Sequence, residues 1–339
     1  MKRYLGFFLI LCLIFGCCAA GENEIRFNYL YNDYYCVDGG TEVVITAEID
    51  KNMVLGDRVI KAQLIGEDGT VYGEKSFDRK NRSRGFSVKV PADWTGTHNL
   101  AMYVDGVKCS NDFPVFIKVR QSVLRRIQTD EKVIAISIDC GAGGSYGAGQ
   151  WMQLLEKYNG RATFFMTGRW AYEHPDAVRA VYEAGHEIGN HSYNHPHMET
   201  VKTLEKFKKE LFDTNAIIEE LVGVTPDLFR VPYGDWSYSI NTVVRELGFR
   251  EAVQWNIDTH DSIASRTVPN ILMYATQKNI PAGSIVLFHC DNPSVKDMEK
   301  AFDYYVNTLG YRLVAVGDLL DMLPEGERYI DDNGVMYAE

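Results

Sequence analysis

Hydrophobic and polar positions follow two rhythms along this chain, and the rhythm changes near residue 120. Between about 24 and 120 the apolar residues recur at every second position in short runs, at 42–49, 58–65, 86–90, 98–104 and 115–119. Turn signals such as Glu67-Asp68-Gly69, Asp93-Trp94-Thr95-Gly96 and Asp105-Gly106 separate them. Successive side chains of a strand point to opposite faces, so a period of two marks strands with one buried face. Strands at this spacing predict a small antiparallel β-sandwich of immunoglobulin type over 24–120.

From about Arg120 the apolar runs become continuous, at 132–138, 162–166 and 284–288. Longer amphipathic segments lie between and around them, at 149–158, 175–184, 200–221, 238–247, 268–279 and 295–309. A strand that is apolar at every position is buried on both faces, so the pattern predicts an α/β fold with a parallel sheet or barrel under helices. This region runs over 130–323 and leaves 324–339 as a C-terminal tail. In such folds chemistry gathers at the C-terminal ends of the strands.

Polar residues cluster where those runs stop. The segments are Asp139-Cys140-Gly141, Gly189-Asn190-His191-Ser192-Tyr193-Asn194-His195, Phe229-Arg230-Val231-Pro232-Tyr233-Gly234, Trp255 to Asp261, and Leu287-Phe288-His289-Cys290-Asp291. A single strand-end aspartate or histidine reads as a helix cap or a satisfied core group; five convergent strand ends read as one site. His191 and His195 are four residues apart, a spacing that on a helical turn can face one ion and that a surface or capping pair shares, and Pro196 disfavours helical geometry at His195, which places that histidine at an irregular bend.

Together and in this order the five segments resemble the NodB-homology domain of the polysaccharide deacetylases, carbohydrate esterase family four. The resemblance implies a distorted (β/α) barrel of about seven strands that binds one divalent metal, most often zinc, and removes acetyl groups from N- or O-acetylated glycans. It implies Asp139 as general base, His191 and His195 as metal ligands, and Arg230 as the group that orients Asp139. It further implies an oxyanion-binding N–H at Tyr233, His289 as general acid, Asp261 as its holder, and Leu287 as a wall of the acetyl pocket. Trp151, Trp170 and Trp236 are candidates for sugar platforms or for core packing.

Three positions depart from the family pattern. The second aspartate, a metal ligand, is Cys140; the residue after the catalytic histidine is Cys290; and the tryptophan after Asp261 is Ser262. Two readings follow. A Cys140 thiolate can complete a zinc site with His191 and His195. Alternatively Cys140 and Cys290 form a disulfide, which takes the sulfur from the metal and leaves a weakened, carbohydrate-binding relative of the deacetylases.

Composition narrows the setting. Lys2 and Arg3, the apolar run 4–15 and Gly16-Cys17-Cys18-Ala19-Ala20 form a leader over 1–20, and Ile14-Phe15-Gly16-Cys17 resembles a lipoprotein acylation site. The apolar run is too short to span a bilayer, so export is expected, with an N-terminal lipid anchor as the acylation-site resemblance implies or with an ordinary signal peptide cleaved after Ala20. Export permits disulfides, and Cys36 with Cys109 are candidates to staple the sandwich. With 35 basic and 46 acidic residues, a net charge of −11, the chain lacks the electrostatic footprint of a nucleic-acid binder.

Overall fold

The computed structural model describes residues 25–30, 32–141, 146–263, 267–277, 279–290, 295–324 and 328–338. The leader expected over 1–20 lies outside them. Among the described residues no helix is long and apolar enough to cross a membrane.

The chain separates into two compact units. The first contains Glu42–Lys89, Asn99–Phe113 and the described residues before Tyr31. Strands Phe27–Tyr29, Glu42–Ile49 and Ser83–Lys89 form one antiparallel sheet. Ile60–Gly66 pairs antiparallel with Val71–Phe77 on one side and Thr97–Val104 on the other. The period of two is visible in the burial of Val43, Ile45, Ala47 and Ile49 while Val44 stays exposed. The Phe77 ring meets Phe27 at 5.0 Å and Phe86 at 6.1 Å, which joins the apolar faces of the two sheets.

The expected Cys36–Cys109 staple is not formed. Cys109 belongs to the first unit, where its thiol donates to the Val107 carbonyl at 3.0 Å. Cys36 lies in the second unit on strand Tyr35–Val37, and its thiol donates to the Ser239 carbonyl at 3.8 Å. Burial pushes that thiol's pKa up, which keeps it protonated and unreactive.

The second unit comprises Asn32–Thr41, Val90–His98 and the chain from Pro114 onward. Its strands are β1 (Val133–Cys140), β2 (Ala162–Met166), β3 (Glu187–Asn190), β4 (Leu228–Phe229), β5 (Glu251–Ala252), β6 (Ile257–Asp258), β7 (Ile285–His289) and β8 (Arg312–Val314). All pair in parallel, in the order β5-β4-β3-β2-β1-β7-β6, with β8 beside the first half of β1. Segment 124–127 spans the open side: Leu124 bridges Val253 and Arg126 bridges Ser284. The result is a curled parallel sheet, the α/β architecture expected from the sequence.

Helices α1 (Tyr146–Lys157), α2 (Gly168–Glu173), α3 (Pro175–Glu183), α4 (Leu204–Val222), α5 (Tyr238–Glu246), α6 (Val268–Ala275), α7 (Glu299–Asp303) and α8 (Val316–Asp321) connect the strands. Caps punctuate them where the sequence supplies a hydroxyl: Thr167, Thr203 and Ser237 each accept a backbone N–H of the first turn. Gly223, at φ 74°, ends α4 in the left-handed region. The tail also folds, with Arg328–Ile330 and Val335–Ala338 forming a hairpin whose second strand pairs with Arg126–Ile127.

Alternation along β1 divides the core. Ile134, Ile136, Ile138 and Cys140 pack with Trp151 and Leu155 of α1 and with Phe288. Val133 and Ala135 pack into a different cluster with Phe165, Leu228 and Ile285. Strand β7 divides the same way, with Val286, Phe288 and Cys290 in the first cluster and Ile285 in the second. Helix α1 approaches so closely that a β-carbon at Gly147 would collide with the Cys290 carbonyl, which requires glycine there.

Glu251 on β5 is 3% exposed and accepts from Arg245 at 3.0 and 3.1 Å. Burial outweighs Arg245 and pushes its carboxyl up to about 7. A folded value above the unfolded one gives stability that is full below the ordinary carboxylate range and is lost as pH rises through about 7. The E251Q variant lacks this titration. Its stability relative to wild type, read by denaturant unfolding, should rise by roughly 2–3 kcal/mol between pH 5 and pH 8. A difference that stays constant over that interval would show Glu251 ionised throughout.

Candidate active site

The C-terminal ends of the parallel strands open into a cleft of about 400 Å³. Asp139, His191, His195, Tyr233, Leu287 and His289 line it, so six residues expected at one site from the sequence are brought together. Parallel pairing of β1 with β7 puts Asp139 in register with His289.

Arg230, which follows β4, has no solvent exposure. Its Nη1 donates to Asp139 Oδ1 at 2.8 Å, Nη2 to the Gln254 carbonyl at 3.2 Å and Nε to the Val253 carbonyl at 3.4 Å. The guanidinium also lies 4.1 Å from the Phe165 ring centre and 5.6 Å from that of Trp255. Burial alone would raise the Asp139 carboxyl, but Arg230 foremost, with His191 and His289, holds it below the ordinary carboxylate range. Asp139 is therefore an ionised carboxylate in a nearly dry setting.

The Nδ1–H of His191 donates to the Arg230 carbonyl at 2.8 Å, which fixes the tautomer and leaves Nε2 facing Asp139 Oδ2 at 3.5 Å. The His195 ring meets His191 edge-on at 4.8 Å and Tyr233 at 4.4 Å. Burial keeps both imidazoles neutral; it lowers His191 and brings His195 down to about 4. His289 is held from behind: its Nδ1–H donates to Asp261 Oδ1 at 2.7 Å and its backbone N–H to Oδ2 at 3.0 Å.

Among the described residues six non-glycine positions have positive φ, and four of them, Ser192, His195, Tyr233 and His260, belong to the cleft loops. Left-handed backbone is strained for such residues and concentrates where geometry serves a site. His195 thus sits at the irregular bend that Pro196 foretold, at φ 58°. At Tyr233, φ 61° accompanies a ring that is 57% exposed and stacks on His197 at 4.0 Å.

Cys140 is not a metal donor in this structure. It is bonded to Cys290, with Cα atoms 5.0 Å apart. The same alternation that turns Asp139 and His289 into the cleft turns both cysteines to the helix side, into the cluster with Trp151 and Phe288. Among the described residues no three His, Cys, Asp or Glu side chains converge as a metal-binding group. With Cys140 in the disulfide, the donors expected from the sequence are reduced to the imidazoles of His191 and His195, one fewer than a zinc site with three protein ligands requires.

Trp236 does not reach the cleft; it lies under Arg125 at 5.9 Å and edge-on to Tyr238. Trp151 and Trp170 are core residues. The aromatic wall is instead Trp255, whose Nε1–H donates to Asp258 Oδ2 at 3.1 Å. Asp258 Oδ1 accepts the His260 N–H at 2.7 Å and lies 3.2 Å from His260 Nδ1, so the two side chains flank the cleft together. Trp255, Asp258 and His260 stand in the segment singled out from the sequence, but only Asp261 was selected there. The close polar spacing Asp258-Thr259-His260-Asp261 was the available signal.

The family model for polysaccharide deacetylase matches residues 126–252. A peptidoglycan-N-acetylglucosamine deacetylase of Bacillus cereus is 33% identical over 198 residues, covering 57% of this chain and 91% of that protein. The Bacillus subtilis protein YlxY is 31% identical over 192 residues, covering 57% of this chain and 58% of YlxY. The structure of the peptidoglycan deacetylase PdaC from Bacillus subtilis superposes with a TM-score of 0.51 at 28% identity, over 57% of this chain and 93% of that one. The chain belongs to the polysaccharide deacetylase family. It spans about three fifths of the length of YlxY.

The disulfide closes a loop of sequence separation 150, so its loss should destabilise the protein by about 3–5 kcal/mol. Zinc titration of the folded protein should give the same affinity, within threefold, for wild type and C140S/C290S, because neither sulfur faces the histidines. A gain of tenfold or more on reduction of the wild type would place Cys140 among the donors.

Proposed function

We propose that this chain is an exported hydrolase that removes acetyl groups from a glycan, with Asp139 as base and His289 as acid. The observation that carries the reading is the register pair. An ionised carboxylate and a carboxylate-held imidazole face one cleft from adjacent strands. Such a pair suits hydrolysis, in which one group takes the proton of the attacking water and the other returns one to the leaving group. Arg230 keeps Asp139 charged and oriented. The Tyr233 turn would present its N–H to the oxyanion, and Leu287, Val231 and Trp255 would enclose the acetyl methyl. Relatives named as peptidoglycan deacetylases support the substrate class.

A second reading, a glycan-binding relative with weakened catalysis, is favoured by one observation: Cys140 lies in a disulfide where the family pattern has a metal-ligating aspartate. One assay separates the two. Acetate release from acetylated chitooligosaccharide and from peptidoglycan strands is measured for wild type, D139N and H289A, in zinc and in chelator. The hydrolase reading expects release by wild type and a loss of at least a hundredfold in each variant. Absence of release under every condition, with glycan binding retained, would establish the second reading.

A further inference from the structure

A second groove lies beside the candidate active site. It encloses about 470 Å³ and is lined by Lys202, Lys206 and Lys209, by Glu210 and Asp213, and by Tyr193, Asn194 and Val201. We infer that it is a subsite for the carboxylate groups of an anionic glycan strand, an assignment that rests on the glycan reading above.

Charge is the first argument. The chain as a whole carries −11, yet this groove, with three lysines against the two carboxylates Glu210 and Asp213, is positive by one charge. Lys206 and Lys209 are three residues apart on α4 and share a face, and Lys202, just before the Thr203 cap of that helix, lines the same groove. Lys209 pairs with Asp213 at 2.6 Å. Glu210 also reaches the groove, but its carboxylate is engaged: Oε2 accepts the Tyr193 and Asn194 N–H groups at 2.9 and 2.8 Å, and Oε1 accepts from Asn194 Nδ2 at 3.0 Å. Among the described residues Lys202 and Lys206 make no ion pair. Lys202 and Lys206 therefore line the groove outside any ion pair, opposed only by the hydrogen-bonded carboxylate of Glu210.

Position is the second argument. Tyr193 and Asn194, which wall the groove, form the loop between His191 and His195 of the cleft. Glu210 fixes that loop from the groove side. A polymer occupying the cleft can therefore place a neighbouring sugar against the same loop. Lysine supplies a compact charge on a flexible stem, suited to a carboxylate whose position varies along a strand. The ring of Tyr193 and the side chain of Val201 supply apolar surface for a sugar face.

The test is binding by the full chain, read calorimetrically at 50 and 300 mM NaCl. The probes are peptide-free peptidoglycan strands, which carry lactyl carboxylates, the same strands methyl-esterified, and inorganic polyphosphate. Wild type should bind the free-acid strands about tenfold more tightly than the esterified ones at low salt, and the advantage should shrink at high salt. K202Q/K206Q should remove that preference and leave binding of the esterified strands unchanged. K208Q, on the same helix but outside the groove, should behave as wild type. A preference that survives K202Q/K206Q, its absence from wild type, or polyphosphate bound as tightly as the free-acid strands would each overturn the subsite. Because no acetate release is measured, failure of the hydrolase reading leaves this comparison readable.

Discussion

The ion pair of Arg230 with Asp139 is the interaction on which the rest of the site depends. A guanidinium with no solvent exposure is tolerable only if its charge and its donors are all met. Here the Asp139 carboxylate of β1, the Phe165 ring of β2, and the Val253 carbonyl, Gln254 carbonyl and Trp255 ring of the segment after β5 surround it. Arg230 follows β4 and Asp139 ends β1, so the pair ties across the curl of the sheet rather than along it. Its carbonyl then fixes the tautomer of His191, which extends the same constraint to the cleft histidines.

A second constraint is a matter of parity. Strands β1 and β7 are in register at Asp139 and His289, and one residue further on stand Cys140 and Cys290. Alternation sends the first pair into the cleft and the second pair behind the sheet. The two chemical groups are thus held at a fixed separation by backbone pairing in front and by a covalent bond behind. The close seat of Gly147 on the Cys290 carbonyl presses α1 against the same junction. This chain secures its strand ends with a disulfide at the two positions where it departs from the family pattern.

That parity also explains what the sequence disclosed and what it hid. Long amphipathic segments announced α1, α3, α4, α5 and α6 within a few residues, because their apolar faces repeat over two turns or more. Helices α2 and α8 have six residues each and strands β4 to β6 have two, too short for any period to register. Asp139, His191, His195, Arg230, Asp261 and His289 are legible only jointly, because a single polar group closing an apolar run is an ordinary cap or core group, whereas five such ends in one order carry the family resemblance. For Cys140 the sequence leaves a zinc thiolate and a disulfide with Cys290 open, and the structure shows the disulfide, consistent with the period of two that turns Cys140 away from Asp139. Packing against near neighbours, which neither residue type nor position in the sequence specifies, places Trp236 under Arg125 and the Cys36 thiol on the Ser239 carbonyl. His260 and Trp255 depend on a loop whose left-handed bend no local pattern specifies.

The most direct test of this picture is the stability of D139N against wild type in chemical denaturation from pH 3 to pH 8. A carboxyl held below its ordinary value contributes stability that is present above the unfolded pKa and lost as pH falls through the folded one. D139N leaves Arg230 buried without its counter-charge, and it should be less stable than wild type by about 3 kcal/mol at pH 7, with the gap closing toward pH 3. A D139N protein as stable as wild type at pH 7 would contradict the central place given to the Arg230–Asp139 pair.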